Sequence, residues 1–268
     1  MNLQKLLITA IRASIKGGLV IMDIYDSDFS VFRKEDNTPL TLADKNCNNI
    51  IEQMLEKTGI PILSEEGRGV SYQERKNWEY FWLIDPLDGT KEFVKRNGEF
   101  TVNIALIYKD YPVIGVIYVP AKKDLYFALE ELGSFKINLL DIQDDYTFIS
   151  LSQLISFSVK LPLKNTRQIF TIVGSRSHMS LETKEVFKEM KKKHGKIEVI
   201  EVGSSLKICM VAEGRADLYV RYAPTMEWDT AAGDAILRYA GFNLIAFKTS
   251  KSLVYNKEKL VNPWFLAK

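Results

Sequence analysis

Two residue types are nearly missing from this chain of 268 residues. Cys47 and Cys209 are its only cysteines, too few for a disulfide scaffold; the pair fits a reducing compartment and reads as two buried small hydrophobes. With only His178 and His194 present, a zinc site built on several histidines is excluded. No apolar stretch approaches the ~18 residues of a membrane span. The first apolar run, Leu6 to Ile11, is cut by Arg12 and followed by no small-residue cleavage site, so no secretory leader is read. Repeats, low-complexity tracts and Pro/Gly/Ser-rich linkers are also missing. Neither sign of charge dominates: 36 basic and 34 acidic side chains leave +2, which gives no global attraction to nucleic acid or to an anionic membrane. Any recognition of phosphate must come from a local cluster. The expectation is a cytoplasmic chain with no nucleic-acid partner and no integral membrane segment, peripheral contact with the inner face of the cell membrane being left open.

What is present is an ordinary globular composition, 46% hydrophobic and 26% charged, in a chain long enough for one large domain or two modest ones around a cleft. Leu3, Leu7, Ile11, Ile15 and Leu19 recur at helical spacing and predict a helix over 2–25. A second helix is predicted over 41–57, ended by Gly59. Short buried strands are predicted at 61–63 and 80–84, then antiparallel strands at 101–108, 113–119 and 124–129. Further on, strands at 170–173, 197–202 and 218–221 alternate with helices at 181–193, 204–213 and 229–240, the pattern of a separate α/β half. The expected division is 1–140, an α+β half with an antiparallel sheet, and 141–268, an α/β half. Lys191 to Lys193 read as a solvated helix end that suits the dipole.

The most informative segment is Phe81-Trp82-Leu83-Ile84-Asp85-Pro86-Leu87-Asp88-Gly89-Thr90. A buried apolar strand runs into two carboxylates three residues apart, with Pro and Gly shaping the turn. Carboxylates in a rigid turn can converge on one hard cation, and a carbonyl such as that of Leu87 can add another oxygen. The plainer reading is an ordinary turn, since Asp, Pro and Asp-Gly are all turn residues. Three further segments bear on the choice. Ser64-Glu65-Glu66-Gly67 places acids after the short strand, or is an exposed acidic loop. Trp228-Asp229-Thr230-Ala231-Ala232-Gly233 places an acid at the start of a small-residue helix, or is plain capping. Thr41-Leu42-Ala43-Asp44 has the spacing of a capping box. Acid-bearing strand and helix ends in a histidine-poor chain point to an all-oxygen site suited to magnesium.

WLIDPLDGTKEF, LSEEG and WDTAAGDA together resemble the signatures of the inositol monophosphatase superfamily of lithium-sensitive, magnesium-dependent phosphatases, and more finely its 3′(2′),5′-bisphosphate nucleotidase branch. NTPLTLAD (37–44), DGTKEFVKRNGEFTVNIAL (88–106), GSRSH (174–178) and GSSLKICMVAEGRADLYVR (203–221) follow in the same order. Residues 136–168 lie outside the resemblance, and Met226-Glu227 is not distinctive. The resemblance implies a layered α/β/α/β/α sandwich, α+β in one half and α/β in the other, with the active site between the halves. It implies two or three Mg2+ ions on Glu65, Asp85, the Leu87 carbonyl, Asp88 and Asp229. Asp44 and Thr90 would orient and deprotonate the attacking water, with Glu65 also in the catalytic set. Substrate would be met by Gly89, Thr90, Ser175, Arg176, His178, Gly203, Ser204, Ser205, Lys207, Arg221 and Asp229. Plainer readings stand beside several of these: Ser204 as a helix cap, Lys207 as a solvated helix residue, His178 as a surface histidine. A helix starting at 203–205 would offer free backbone N–H groups to an anion. The implied reaction removes the 3′-phosphate of 3′-phosphoadenosine 5′-phosphate (PAP) to give AMP, and that of its sulfated form PAPS to give APS. The alternatives are an inositol or sugar monophosphatase and, in another class, a non-catalytic magnesium- or nucleotide-binding regulator.

Overall fold

A computed structural model of the protein describes residues 1–26, 31–33, 39–141, 150–164, 167–175 and 180–268, with backbone only for 31–33, 39–41, 141 and 175. Chain order gives helix α1 (Leu3–Tyr25), strands β1 (Val31–Arg33) and β2 (Pro39–Thr41), α2 (Leu42–Leu55), β3 (Ile62–Ser64), α3 (Tyr72–Arg75), β4 (Tyr80–Asp88) and α4 (Thr90–Val94). An antiparallel run follows: β5 (Thr101–Tyr108), β6 (Tyr111–Val119), β7 (Asp124–Leu129) and β8 (Gly133–Asn138). Then come α5 (Leu151–Phe157), β9 (Val159–Lys160), β10 (Phe170–Ser175), α6 (Leu181–His194), β11 (Ile197–Val202), α7 (Leu206–Ala212), β12 (Leu218–Arg221), α8 (Glu227–Tyr239), β13 (Leu244–Ala246) and β14 (Phe265–Ala267).

The strands build a seven-stranded sheet in the order β3-β4-β5-β6-β7-β8-β9, a five-stranded sheet in the order β11-β10-β12-β14-β13, and the small pair β1-β2. In the large sheet only β3 and β4 are parallel. The chain returns to it after residue 141 through β9, which pairs with β8.

Strand alternation explains the layering, because successive side chains face opposite sides of a sheet. Trp82 and Ile84 of β4 join a core with α1 and α2, while Phe81 and Leu83 join a second core with α7 and α8. Beyond the five-stranded sheet, Ile172, Leu218 and Val220 pack with Val186, Phe187 and Met190 of α6. The order is helices, large sheet, helices, small sheet, helix: the layered α/β/α/β/α sandwich. In α1 the buried stripe runs through Leu7, Ala10, Ile11, Ser14, Ile15, Gly18 and Ile21. Leu19, counted in the apolar spacing, is 43% exposed: repeated steps of four drift around a helix of 3.6 residues per turn. α8 approaches the large sheet closely at Gly115 of β6, where a Cβ atom would lie 2.3 Å from the Ala232 carbonyl oxygen and 2.7 Å from Ala235 Cβ. No helix among the described residues is long and apolar enough to cross a membrane. Both cysteines are free and buried.

Candidate metal centre

The parallel pair β3–β4 brings two acids side by side. Ser64 is in register with Ile84 and the Glu65 N–H donates to the Ile84 carbonyl at 3.1 Å, so Glu65, just past the end of β3, lies level with Asp85 of β4. Asp85 is 1% exposed. The strand continues past it, further than the predicted end at 84, but not regularly. Asp85 opposes Asn103 and Asp88 opposes Thr101, which leaves one extra residue on β4, a bulge at Pro86-Leu87 that re-aims the acids. Asp85 Oδ1 accepts from the Leu87 N–H at 3.1 Å, the Asx-type turn open to aspartate, and Cys47 Sγ donates to the Pro86 carbonyl at 3.2 Å. Gly89 then takes φ +89°, where a side chain would be strained, and α4 starts at Thr90. The Thr90 hydroxyl donates to the Leu87 carbonyl at 3.4 Å.

The third acid comes from α8. The helix begins at Glu227, so Asp229 is its third residue, and Asp229 Oδ2 accepts from the Met226 N–H at 2.9 Å. One carboxylate oxygen each of Glu65, Asp85 and Asp229 lie within 4.8 Å of one another. Burial, then the charges of Glu65, Asp88, Asp229 and Asp44, hold the Asp85 carboxyl well above the usual range. Asp229 is pushed up to about 8 by burial and Asp88, against the opposing Met226 N–H and Arg221. Such crowded carboxylates favour either a proton or a cation. The donors are all oxygen, from carboxylates on rigid strand and helix ends, and this chemistry fits a hard divalent ion.

Asp88 faces a different set of groups. Its Oδ2 accepts from Ser204 Oγ at 2.6 Å, the Ser205 N–H at 2.7 Å and Ser205 Oγ at 2.8 Å, with Asn103 Nδ2 at 3.5 Å. Ser205 Oγ also lies 2.9 Å from the Asp229 carbonyl and accepts from Asn103 Nδ2 at 2.9 Å, while Thr101 Oγ1 is 2.6 Å from Ser204 Oγ. This network joins β4 and β5 to the entry of α7. The reading of residues alone missed Thr101 and Asn103; their signal is two polar residues on one face of an otherwise apolar strand, and Asn103 is 1% exposed.

The expectation of free N–H groups at 203–205 is corrected at Gly203 and Ser205. α7 starts at Leu206, and these two amides before it are committed to the protein's own carboxylates: Gly203 N–H donates to Glu99 Oε2 at 2.8 Å and Ser205 N–H to Asp88. Ser204 is no helix cap either, since Ser205 holds that position. Nor is Lys207 a solvated residue. It is 6% exposed, its ammonium donates to the Ser204 and Val202 carbonyls, and burial lowers it to about 8. Arg221 lies close enough to add to that lowering, and its own Nε is buried with no hydrogen-bond partner. Asp44 is 3% exposed near the start of α2. The Ser175 side chain, Arg176 and His178 lie outside the described residues, as does the Thr41 side chain of the expected capping box.

A model of the inositol monophosphatase family matches residues 2–266. The 3′(2′),5′-bisphosphate nucleotidase CysQ of Salmonella typhimurium is 39% identical over 259 residues, covering 92% of this chain and 93% of that protein; the Haemophilus influenzae CysQ is 35% identical over 271 residues, covering 98% and 92%. Among solved structures, the crystal structure of CysQ from Bacteroides thetaiotaomicron, a bacterial member of the inositol monophosphatase family, superposes with a TM-score of 0.92 at 50% identity, covering 100% of this chain and 98% of that one. Inositol monophosphatase from Anabaena shares the fold at a TM-score of 0.71 and 24% identity, covering 100% of this chain and 92% of that one.

Proposed function

The chain belongs to the inositol monophosphatase family, and from that premise we propose that it is a metal-dependent 3′(2′),5′-bisphosphate nucleotidase that removes the 3′-phosphate of PAP to leave AMP, with PAPS as a second substrate. The observation that carries this reading is the convergence of Glu65, Asp85 and Asp229. With Asp88 and the Leu87 carbonyl these would hold magnesium, as two or three ions. When bound, magnesium supplies positive charge to the phosphoryl oxygens and acidifies a coordinated water.

The chain's own groups do the rest. Ser204, Ser205 and Asn103 fix Asp88 through Oδ2, which turns the ligand role onto Oδ1. Thr90, at the first position of α4, and buried Asp44 orient the attacking water and take its proton, with Glu65 as the third member of the catalytic set. The doubly phosphorylated substrate needs a second cationic site for its 5′-phosphate. Lys207 and Arg221 lie close enough to influence each other's charge, and the unsatisfied Nε of Arg221 gives a buried donor that an anion would satisfy. Gly89 lets the backbone approach the substrate, and the family resemblance adds Ser175, Arg176 and His178 to the substrate-binding set. The halves 1–140 and 141–268 meet here, the first supplying Glu65, Asp85 and Asp88 and the second Asp229 and the substrate cations. Cytoplasmic residence belongs to the same reading.

A phosphate-release panel with PAP, PAPS, inositol 1-phosphate and fructose 1,6-bisphosphate, with magnesium and with chelator, tests it. PAP turnover that leads the panel and disappears with chelator is expected. Faster turnover of inositol 1-phosphate than of PAP would turn the assignment to a monophosphatase, and nucleotide binding without turnover to a regulator.

A further inference from the structure

Asp229 is the metal-ligand candidate furthest in sequence from the others, and what fixes it is a polar clamp around the first turn of α8. Glu227 is 0% exposed. Its Oε2 accepts from the Asn256 N–H at 2.6 Å, and its Oε1 accepts from the Lys257 N–H at 3.0 Å and the Lys257 ammonium at 2.6 Å. Its own N–H donates to the Leu260 carbonyl at 2.9 Å. Asn262, 6% exposed, turns its amide on the same turn: Nδ2 reaches the Met226 carbonyl at 2.7 Å, Thr230 Oγ1 at 3.0 Å and Thr225 Oγ1 at 3.2 Å. Met226 is thus gripped on both sides, and its N–H holds the Asp229 carboxylate. The segment 256–258 is in turn held by Arg75 of α3, whose guanidinium donates to Asn256 Oδ1 at 2.7 Å and to the Lys257 and Glu258 carbonyls at 2.7 and 3.1 Å. Asn256 Nδ2 returns a bond to the Arg75 carbonyl at 2.9 Å.

Building on the metal-centre reading above, we infer that Glu227 and Asn262 are positioning residues of that centre. They set the place of Asp229 relative to Glu65 and Asp85 through a relay of Arg75, residues 256–258 and the first turn of α8. A buried carboxylate satisfied by two backbone N–H groups and an ammonium locks that turn more firmly than apolar packing would, because each partner has one fitting geometry. Groups that orient a ligand without touching the metal commonly change affinity by about 10–100-fold when removed.

The experiment measures magnesium binding by titration calorimetry on the metal-free protein, alongside Tm and steady-state kinetics, for wild type, Glu227→Gln, Asn262→Ala and Lys257→Met. Ser134→Ala is the control, since Ser134 Oγ donates to the Ile236 carbonyl at 2.6 Å and so loosens the same helix at its other end. The first two variants are expected to bind magnesium about tenfold more weakly, with kcat recovering near wild type at saturating magnesium and KM for PAP little changed. Lys257→Met should follow them at smaller amplitude, and it carries the test where Glu227→Gln fails to fold. Ser134→Ala should lower Tm and leave magnesium affinity alone. Lower Tm with magnesium affinity within twofold of wild type in all three clamp variants would reduce the clamp to ordinary fold support. Failure of the wild type to bind magnesium would overturn the metal-centre reading itself, and the two results are distinguishable in one titration series.

Discussion

Asp88 Oδ2 is held by Ser204 and Ser205, and the proposed ligand role falls to Oδ1, so a single substitution tests the division. Asn at this position keeps an acceptor for Ser204 and Ser205 but removes the charge that a divalent ion needs. Asp88→Asn is expected to keep its circular dichroism and lose activity by orders of magnitude; near-normal turnover at saturating magnesium would remove Asp88 from the site. Lys207 offers a sharper test because substrate choice reads it. A charge-assisted contact to phosphate contributes roughly 1.5–3 kcal/mol, or about ten- to a hundredfold in affinity. Lys207→Ala should weaken PAP hydrolysis by that factor while a mononucleotide 3′-phosphate, lacking the second group, is hydrolysed almost as before. Equal losses on both would place Lys207 in the fold or on the reacting phosphate. Its depressed pKa of about 8 adds a pH signature: the ammonium is present below that value and is lost as pH rises through it. KM for PAP should therefore climb above pH 8 in the wild type, and the climb should be missing in Lys207→Ala.

α8 shows how one helix serves several layers at once. Its first turn carries Asp229, its small residues Ala232 and Ala235 press against Gly115, and Asp234 is buried at 1% exposure. Tyr255 OH donates to Asp234 Oδ2 at 3.0 Å and Arg238 Nη2 lies 3.3 Å away, yet Oδ1 has no partner. Burial outweighs Arg238 and Tyr255 and raises Asp234 to about 6. A raised carboxyl stabilises the fold below its unfolded value, near 4, and that contribution is lost as pH climbs through about 6. The difference amounts to roughly 3 kcal/mol. Asp234→Asn should gain stability relative to wild type by up to that amount between pH 4 and 7, read from urea melts; a difference independent of pH would show that Asp234 does not titrate in the fold. The apolar periodicity of α8, like the alternation in β5 to β7, was legible from residues alone because each pattern is local. Its start was not. The WDTAAG run suggested 229, but the helix begins at 227 because residues 256–262, some thirty positions away, grip Met226 and Glu227. The same holds for β13 and β14, too short for any periodicity, and for the Gly203 and Ser205 amides, whose partners Glu99 and Asp88 lie more than a hundred positions away in sequence. The acids of the site were legible as strand and helix ends; of the polar residues that hold them, Asn103 left only the faint trace of sharing one face of an apolar strand with Thr101, and Asn262 carries no pattern of its own.

Across the whole molecule the site is where folding and ligand binding oppose each other. Bringing Asp229 from α8 against Glu65 and Asp85 from the large sheet crowds carboxylates that repel, and burial raises the cost of their charge. The fold holds them together by polar ties elsewhere: Asp88 to Ser204 and Ser205 on one side, Arg75 to residues 256–258 on the other. A divalent ion that binds only the folded arrangement must then stabilise it by mass action, by about 2.7 kcal/mol at a hundredfold excess over its Kd. For a chain of this size that corresponds to a rise in Tm of roughly 5–10 °C. Magnesium should produce such a rise in differential scanning fluorimetry, and chelator should reverse it. Asp229→Asn separates the two effects, because the amide oxygen can still accept from Met226 N–H while the repelling charge is gone. Its metal-free Tm should equal or exceed that of the wild type, whereas its response to magnesium should shrink sharply. An Asp229→Asn protein with the full wild-type shift would mean that magnesium binds elsewhere. A large fall in its metal-free Tm would mean that the carboxylate supports the fold as a helix-start acceptor more than it opposes it.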